Sequence, residues 1–216
     1  MLLENQRIDI AQFGKKLVKS GLTTGTGGNL SCMDRTENLV AISPSGIDYD
    51  EMMAEDVVVL DMTGKIIDGK LKPSSETGIH LGLYRARGDV SAIIHTHSPY
   101  ASTMACLNME IPAVHYLVGF SGTKVPVAPY ATFGTEQLAK NVSDTIGKFN
   151  AVLMANHGLI TVGDDLLRAF CVAEEIEFVA RIYYQAKSIG KPVILSDQEM
   201  KTVIKKFADY GQKKKD

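Results

Sequence analysis

The amino-acid sequence predicts an α/β fold in which helices and short strands form packed layers. The chain has 216 residues, a length that suits one domain. Apolar residues make up 45% of it and charged residues 22%, as in ordinary globular proteins. Helical and strand patterns alternate without an internal repeat, a low-complexity segment or a linker. We therefore expect one domain over residues 1–216, with a flexible C-terminal tail from about residue 208.

The first half of the chain begins with a helix and continues in short strands. Apolar residues fall near one face of a helix over residues 3–20, and Gly21 ends it. Residues 23–29 contain too many glycines for the interior of a helix or strand, so a loop is expected there. Short strands are predicted at residues 30–32, 39–43, 57–62 and 65–67.

The second half alternates longer helices with strands. The run Pro73-Ser74-Ser75-Glu76 indicates the start of a helix, because a serine cap is followed by an acidic residue. Further helices are predicted at residues 135–146, 166–187 and 197–207. Strands are predicted at residues 92–96, 113–118, 124–127, 151–155 and 159–162.

Charge and cysteine content exclude several classes of protein. The formal net charge of −2 argues against a nucleic-acid binder, which usually carries a basic excess. The three cysteines are Cys32, Cys106 and Cys171, and any disulfide would leave one of them over. Reduced thiols favour a cytoplasmic protein. No apolar run is long enough to span a membrane, so no membrane partner is expected.

Three histidines form a candidate metal site. His95 and His97 lie in or just after a predicted strand, and residues two apart in a strand point to the same face. His157 follows another strand and precedes Gly158, where a turn can direct its ring inward. Three imidazoles with one open position are typical of a catalytic zinc ion. Each motif alone is weak, because a lone His-x-His pair or a turn histidine often has no metal.

The remaining two histidines have less specific interpretations. His80 follows Glu76 by one helical turn, which favours a role in packing or in supporting a metal ligand from behind. His115 lies beside Tyr116 in a predicted strand, and its role stays open.

Glu76 is the best candidate for a general acid or base. It stands at a helix start beside two serines, where a carboxylate can also serve only the helix dipole. Ser74, Ser75 and free N–H groups at a helix start suit a phosphate, and a carboxylate beside bound phosphate indicates a chemical role. Gly27-Gly28-Asn29 and Ser43-Pro44-Ser45-Gly46 are loops that can bind an anion or can be plain turns.

Taken together, these segments resemble the class II aldolase/epimerase family, and within it the L-fuculose 1-phosphate aldolases. The order and spacing of the motifs carry the resemblance from the first helix to the C-terminus. These motifs are Gly25-Thr26-Gly27-Gly28-Asn29, Ser43-Pro44-Ser45-Gly46, Lys72-Pro73-Ser74-Ser75-Glu76, His95-Thr96-His97, Ile111-Pro112-Ala113-Val114-His115-Tyr116, Ala128-Pro129-Tyr130-Ala131-Thr132-Phe133-Gly134, Asn156-His157-Gly158 and Lys206-Phe207-Ala208-Asp209-Tyr210-Gly211.

The resemblance implies a three-layer α/β/α sandwich with a mostly antiparallel sheet, assembled as a homotetramer whose active sites lie between subunits. It implies one Zn²⁺ per subunit, bound by His95, His97 and His157. Glu76 is implied as the catalytic acid/base, which also approaches the metal when substrate is absent, and Tyr116 as a catalytic tyrosine from the neighbouring subunit. The implied phosphate site comprises Gly28, Asn29, Ser45, Gly46, Ser74 and Ser75.

The expected reaction is the reversible cleavage of a ketose 1-phosphate to dihydroxyacetone phosphate and a short aldehyde. L-Fuculose 1-phosphate, which yields L-lactaldehyde, is the first expectation. Aldolases of 5-deoxyribulose or 5-methylthioribulose 1-phosphate are the nearest alternative, since they differ only in the aldehyde half. A pentulose-phosphate 4-epimerase ranks lower because such relatives tend to carry aspartate at the position of Glu76. A non-enzymatic scaffold of the adducin type would lack the metal ligands, which are all present here.

Overall fold

The computed structural model describes residues 1–208, except for the side chain of Ala208. The strands are β1 (Asn29–Asp34), β2 (Leu39–Ile42), β3 (Val58–Asp61), β4 (Ile66–Asp68), β5 (Ala92–Thr96), β6 (Val127–Ala128), β7 (Ala151–Met154) and β8 (Gly158–Gly163). The α-helices are α1 (Glu4–Lys19), α2 (Thr77–Ala86), α3 (Pro99–Cys106), α4 (Glu136–Ile146), α5 (Leu166–Ile189) and α6 (Asp197–Ala208). The predicted tail beyond residue 208 lies outside the described residues.

The strands form one mixed sheet in the order β4-β3-β2-β1-β5-β8-β7-β6. Every pairing is antiparallel except that of β6 with β7. Strand β5 lies at the centre between β1 and β8, and Asn29 of β1 is paired with His95 of β5. This central position places residues from three parts of the chain side by side.

Helices cover both faces of the sheet. Helices α1, α3 and α5 pack on one face, and α2 and α4 pack on the other. The alternation of side chains along β5 shows why, because Ile94 contacts the first group while Ile93 contacts the second. The predicted three-layer fold with a mostly antiparallel sheet is therefore confirmed. Among the described residues, no helix combines the length and the apolar character needed to cross a bilayer.

The strand predicted at residues 113–118 is wrong. This segment is irregular and leads into a short 3-10 helix at Tyr116–Phe120. Its neighbours explain the difference, since Ala113 accepts a hydrogen bond from Leu195, which lies outside the sheet. The strand predicted at 124–127 shortens to an isolated bridge at Val125 and the two residues of β6.

Helix α3 was not predicted, although the sequence carries a start signal for it. Ser98 precedes Pro99, and proline is favoured at the first position of a helix. The carboxylate of Glu177 on α5 accepts hydrogen bonds of 2.8 Å from the backbone N–H groups of Tyr100 and Ala101. This contact between distant segments fixes the backbone just after His97.

Candidate active site

The three predicted metal ligands meet at one end of β5 and β8. His95 lies in β5, His97 follows it, and His157 lies in the turn between β7 and β8. Their candidate ligand atoms all lie within 4.8 Å of one another. The Nε2 atoms of His95 and His97 are 2.9 Å apart. These rings form a cluster that can hold a metal ion.

Two glycines allow the backbone to pack closely around this cluster. A Cβ atom on Gly158 would lie 2.3 Å from the carbonyl oxygen of Thr96. A Cβ atom on Gly28 would lie 2.5 Å from the carbonyl oxygen of His95, and Gly28 also has a positive φ of 74°. Glycine is therefore required on both sides of the segment that carries the first two histidines.

The protonation state of the rings suits a metal. Burial lowers the pKa of His95 well below its usual value, and the neighbouring rings of His97 and His157 lower it further. Desolvation, and next the ring of His157, lowers the pKa of His97. His95 donates from Nδ1 to the carbonyl oxygen of Leu159 at 3.0 Å, which leaves the electron pair of Nε2 directed at the cluster. Neutral imidazoles are the form that binds metals, so these residues fit a bound ion.

Glu76 lies at the same cluster. Its Oε2 atom is 3.2 Å from His95 Nε2, and its Oε1 atom is 3.4 Å from His157 Nε2. Glu76 is the residue before the first turn of α2, but its side chain makes no capping bond to the helix. The helix therefore starts after Glu76, which was predicted to lie in its first turn, and the carboxylate turns towards the histidines instead of serving the helix end.

A cavity of about 330 Å³ opens over Glu76 and the histidines. All six residues predicted to bind phosphate line it, together with Glu76, His97 and His157. The loops meet because Ser45 donates its backbone N–H to Lys72 and Ser74 donates its backbone N–H to Ser43. These two bonds join segments about thirty residues apart in sequence, so a tertiary contact brings the two loops together.

The lining of this cavity offers neutral hydrogen-bond donors. Within the described residues, no lysine or arginine lines it, whereas serine hydroxyls, asparagine side chains and glycine-rich backbone do. A phosphate bound there would be held mainly by N–H and O–H groups, in the manner of a backbone nest. His157 and Glu76 line the same cavity.

Seven further lining residues were not predicted as site residues. They are Thr26, Gly27, Pro44, Tyr130, Ala131, Phe133 and Asn156. Tyr130 and Phe133 are 62% and 66% exposed, and a Cβ atom on Gly134 would lie 3.2 Å from the carbonyl oxygen of Ser75, so their loop packs against the predicted phosphate site. Two large aromatic residues in a short loop ended by glycine were the available sequence signal.

Tyr116 does not line this cavity in the described part of the chain. Its side chain is 48% exposed and lies beside the rings of His115 and Phe207. The ring of His115 accepts a hydrogen bond from the backbone N–H of Leu117. The proposed action of Tyr116 in a neighbouring subunit therefore stays a prediction, and His115 lies with Tyr116 and not with the other histidines.

Comparison with known proteins agrees with this geometry. Residues 8–184 match the model of the family described as class II aldolase and adducin N-terminal domain. The chain is 54% identical to a 5-deoxy-D-ribulose 1-phosphate aldolase of Bacillus thuringiensis serovar kurstaki, over 98% of this chain and 100% of that one. It is 38% identical to the L-fuculose phosphate aldolase of Escherichia coli K12, over 91% of each chain. A solved structure of an L-fuculose 1-phosphate aldolase superposes with a TM-score of 0.94 at 46% identity, covering 96% of this chain and 98% of the other.

Proposed function

This chain belongs to the class II aldolase and adducin N-terminal domain family and is an aldehyde-lyase, and we propose that it cleaves a ketose 1-phosphate to dihydroxyacetone phosphate and a short aldehyde with the help of zinc. One observation carries the proposal. The carboxylate of Glu76 lies within 3.4 Å of both His95 and His157, in a cavity lined by neutral hydrogen-bond donors.

His95, His97 and His157 would hold one zinc ion per subunit. A bound zinc ion would supply Lewis acidity, which stabilises the negative charge that bond cleavage leaves on the ketose oxygens. The three neutral nitrogen ligands support zinc, because a three-histidine set with an open position is a common catalytic zinc site.

Glu76 would move the proton at the reacting carbon. Cleavage of the C3–C4 bond leaves its electron pair on C3 of the dihydroxyacetone phosphate half, and Glu76 donates a proton to that carbon. In the reverse direction the same carboxylate removes this proton. Its burial beside the three imidazoles supports this role, because a buried carboxylate at the floor of a cavity can hold and release a proton away from bulk water.

The phosphate would bind among the neutral donors that line the cavity. Gly28, Asn29, Ser45 and Gly46 belong to two loops, and Ser74 and Ser75 precede α2. Phosphate is the part that all candidate substrates share. Its binding orients the variable half of the sugar over Glu76.

The proton on the C4 hydroxyl needs a second group, for which we propose Tyr116 of a neighbouring subunit. A phenol can transfer a proton without carrying a full charge at neutral pH, since its usual pKa is about 10. The exposure of Tyr116 and its position outside the cavity of its own chain support action across an interface. We propose a homotetramer as the assembly that provides this interface.

We propose 5-deoxy-D-ribulose 1-phosphate as the preferred substrate. The 54% identity over nearly the whole chain to an enzyme of that name favours it over L-fuculose 1-phosphate, the first expectation from the sequence. The two ketoses differ in the released aldehyde, which is acetaldehyde from the first and L-lactaldehyde from the second. The 46% identity to the structure of an L-fuculose 1-phosphate aldolase keeps the latter as the second candidate.

A direct assay tests both levels of the proposal. Release of dihydroxyacetone phosphate would be measured with each ketose 1-phosphate, and zinc content would be measured in the same preparation. We expect stoichiometric zinc and a higher kcat/KM for 5-deoxy-D-ribulose 1-phosphate. A higher value for L-fuculose 1-phosphate would reverse the substrate order, and no cleavage of either by zinc-loaded protein would refute the proposed reaction.

A further inference from the structure

A chain of buried hydrogen bonds runs from Glu76 into the core beneath the cavity. Asn29 donates from Nδ2 to Glu76 Oε2 at 2.9 Å, and Asn29 Oδ1 lies 2.5 Å from His80 Nε2. His80 Nδ1 lies 2.6 Å from Ser31 Oγ, which is also 2.6 Å from the hydroxyl of Tyr84. The side chains of these four residues, Asn29, Ser31, His80 and Tyr84, are 0–4% exposed, so bulk water does not reach them.

The spacing of residues in helix α2 and in strand β1 explains how this series of hydrogen bonds forms. Glu76, His80 and Tyr84 are spaced by four residues along α2, while Asn29 and Ser31 are spaced by two along β1. Four residues advance a helix by about 6 Å, and two residues advance a strand by about 6.6 Å. Helix and strand therefore stay in step, and each polar side chain of β1 lies between two polar side chains of α2.

The direction of each hydrogen bond follows from chemistry. Burial lowers the pKa of His80 to about 3, so its ring is neutral and has one donor and one acceptor nitrogen. Asn29 Oδ1 can only accept, so His80 donates from Nε2 and accepts at Nδ1 from the hydroxyl of Ser31. Burial raises the pKa of Tyr84 well above its usual value, so its phenol keeps its proton and donates to Ser31.

This direction fixes the amide of Asn29. If the amide were turned over, its oxygen would face the carboxylate of Glu76, and this contact would be repulsive. Its nitrogen would face His80 Nε2 and force the ring into its other tautomer, in which Nδ1 can no longer accept from Ser31. His80 therefore holds the N–H of Asn29 towards Oε2 of Glu76.

The same arrangement distinguishes the two oxygens of Glu76. Oε2 accepts the hydrogen bond from Asn29, whereas Oε1 is buried and has no hydrogen-bond partner in the described part of the chain. An oxygen without a donor is the better one to carry a proton to substrate. The hydrogen-bonded chain thereby selects Oε1 for that task.

We propose that Ser31, His80 and Tyr84 are positioning residues, which act through Asn29 to orient the carboxylate of Glu76 for proton transfer. This inference rests on the acid/base role proposed for Glu76. A purely structural role would stabilise the fold and leave the rate of proton transfer unchanged. The two roles therefore differ in a measurement that isolates the proton-transfer step.

The exchange of a C3 proton of dihydroxyacetone phosphate with D₂O, without any aldehyde, provides that measurement by NMR. Glu76 takes the proton from C3, exchanges it with solvent and returns a deuteron, so no C–C bond forms or breaks. His80→Leu removes both hydrogen bonds of the ring. We expect it to lower the exchange rate and kcat roughly 10- to 100-fold, the usual cost of losing a group that orients an active-site residue. KM and zinc content should stay close to those of the unaltered protein.

Graded variants separate positioning from folding. His80→Gln keeps an N–H near the place of Nε2 and should recover part of the exchange rate. Ser31→Ala should have an intermediate effect and Tyr84→Phe the smallest, because each is further from Glu76 along the chain of bonds. Thr161→Val is the matched control, since Thr161 is also fully buried and donates to Ala169 at 2.9 Å, away from Glu76.

The inference is overturned if folded, zinc-loaded His80→Leu and Ser31→Ala proteins exchange as fast as the unaltered protein. It is also overturned if Thr161→Val slows exchange as much as they do, because the loss then follows general stability. Glu76→Gln distinguishes these failures from failure of the proposed function. Exchange at the normal rate in Glu76→Gln would remove Glu76 from the reaction and the positioning role with it.

Discussion

The floor and the rim of the cavity are built in opposite ways. On the floor, His95, Glu76 and Asn29 are 0%, 6% and 4% exposed and hydrogen bond within the chain. On the rim, Tyr130 and Phe133 are 62% and 66% exposed. The floor is held by hydrogen bonds within one chain, whereas the rim presents exposed aromatic surface.

This difference matches the two halves of the proposed substrate. Buried polar groups must find partners, so the floor is fixed by its own hydrogen bonds. Exposed aromatic side chains have no such constraint and can differ in what they contact. We therefore propose that the floor carries the step common to all ketose 1-phosphates and that the choice of aldehyde depends on the rim.

The largest effect should come from removing a ligand on the floor. We expect His157→Ala to lose zinc and to abolish cleavage, because two imidazoles leave the metal with too few ligands. His115→Ala is the control, since His115 lies beside Tyr116, and it should keep full zinc content. Elemental analysis after gel filtration measures the zinc content of both variants. Full activity of His157→Ala in the presence of chelator would contradict the assignment.

The next effect tests whether Glu76 and Tyr116 of one active site come from different subunits. Glu76→Gln should lower kcat by roughly 10²- to 10⁴-fold, the range for a lost general acid or base, and Tyr116→Phe should also be nearly inactive. In a ring with head-to-tail contacts, random mixing of the two variants would place both intact residues at about one quarter of the sites.

The mixed sample should therefore recover about one quarter of normal activity once subunits have exchanged. Each variant taken alone through the same exchange procedure is the control. Native mass spectrometry would verify that mixed assemblies form. If they form and activity does not return, Tyr116 does not act across the interface.

A smaller effect should follow from removing the phosphate itself. Hydrogen bonds to a charged group contribute about 1.5–3 kcal/mol each, so losing two of them lowers kcat/KM by roughly 100-fold or more. Unphosphorylated 5-deoxy-D-ribulose should accordingly react far more slowly than its 1-phosphate. The comparison is made with one enzyme preparation at one zinc concentration. Similar kcat/KM values would place the phosphate outside the donor-lined end of the cavity.

The smallest effect concerns stability against acid. His80 has a folded pKa of about 3, below its usual value of 6.5, so its contribution to stability is complete above pH 6.5 and is lost as the pH falls towards 3. His80→Leu should therefore reduce the slope of unfolding free energy against pH by up to about 1.4 kcal/mol per pH unit in that range. Denaturant titration of zinc-free protein measures it, with Thr161→Val, a buried residue that does not titrate, as the control. An unchanged slope would mean that His80 is charged in the folded protein.

Most elements could be predicted from the sequence because their signals are local. The periodicity of α1, α4 and α5 and the alternation in β5 depend on neighbouring residues, and the structure confirms them. The segment around Tyr116 could not be predicted in the same way. Its β-like composition favoured a strand, but in the described residues Ala113 accepts a hydrogen bond from Leu195, which is far away in sequence and outside the sheet.

The sequence by itself determined the layered fold, the common face of His95 and His97, and the motifs that indicated the family. Only the tertiary structure decided that the carboxylate of Glu76 faces the histidines and not the helix end, and that Asn29 joins it to His80. Asn29 and His80 are 51 residues apart in sequence. Their contact exists because α2 packs on β1 with matching repeats, and such a register depends on the whole core rather than on any local pattern.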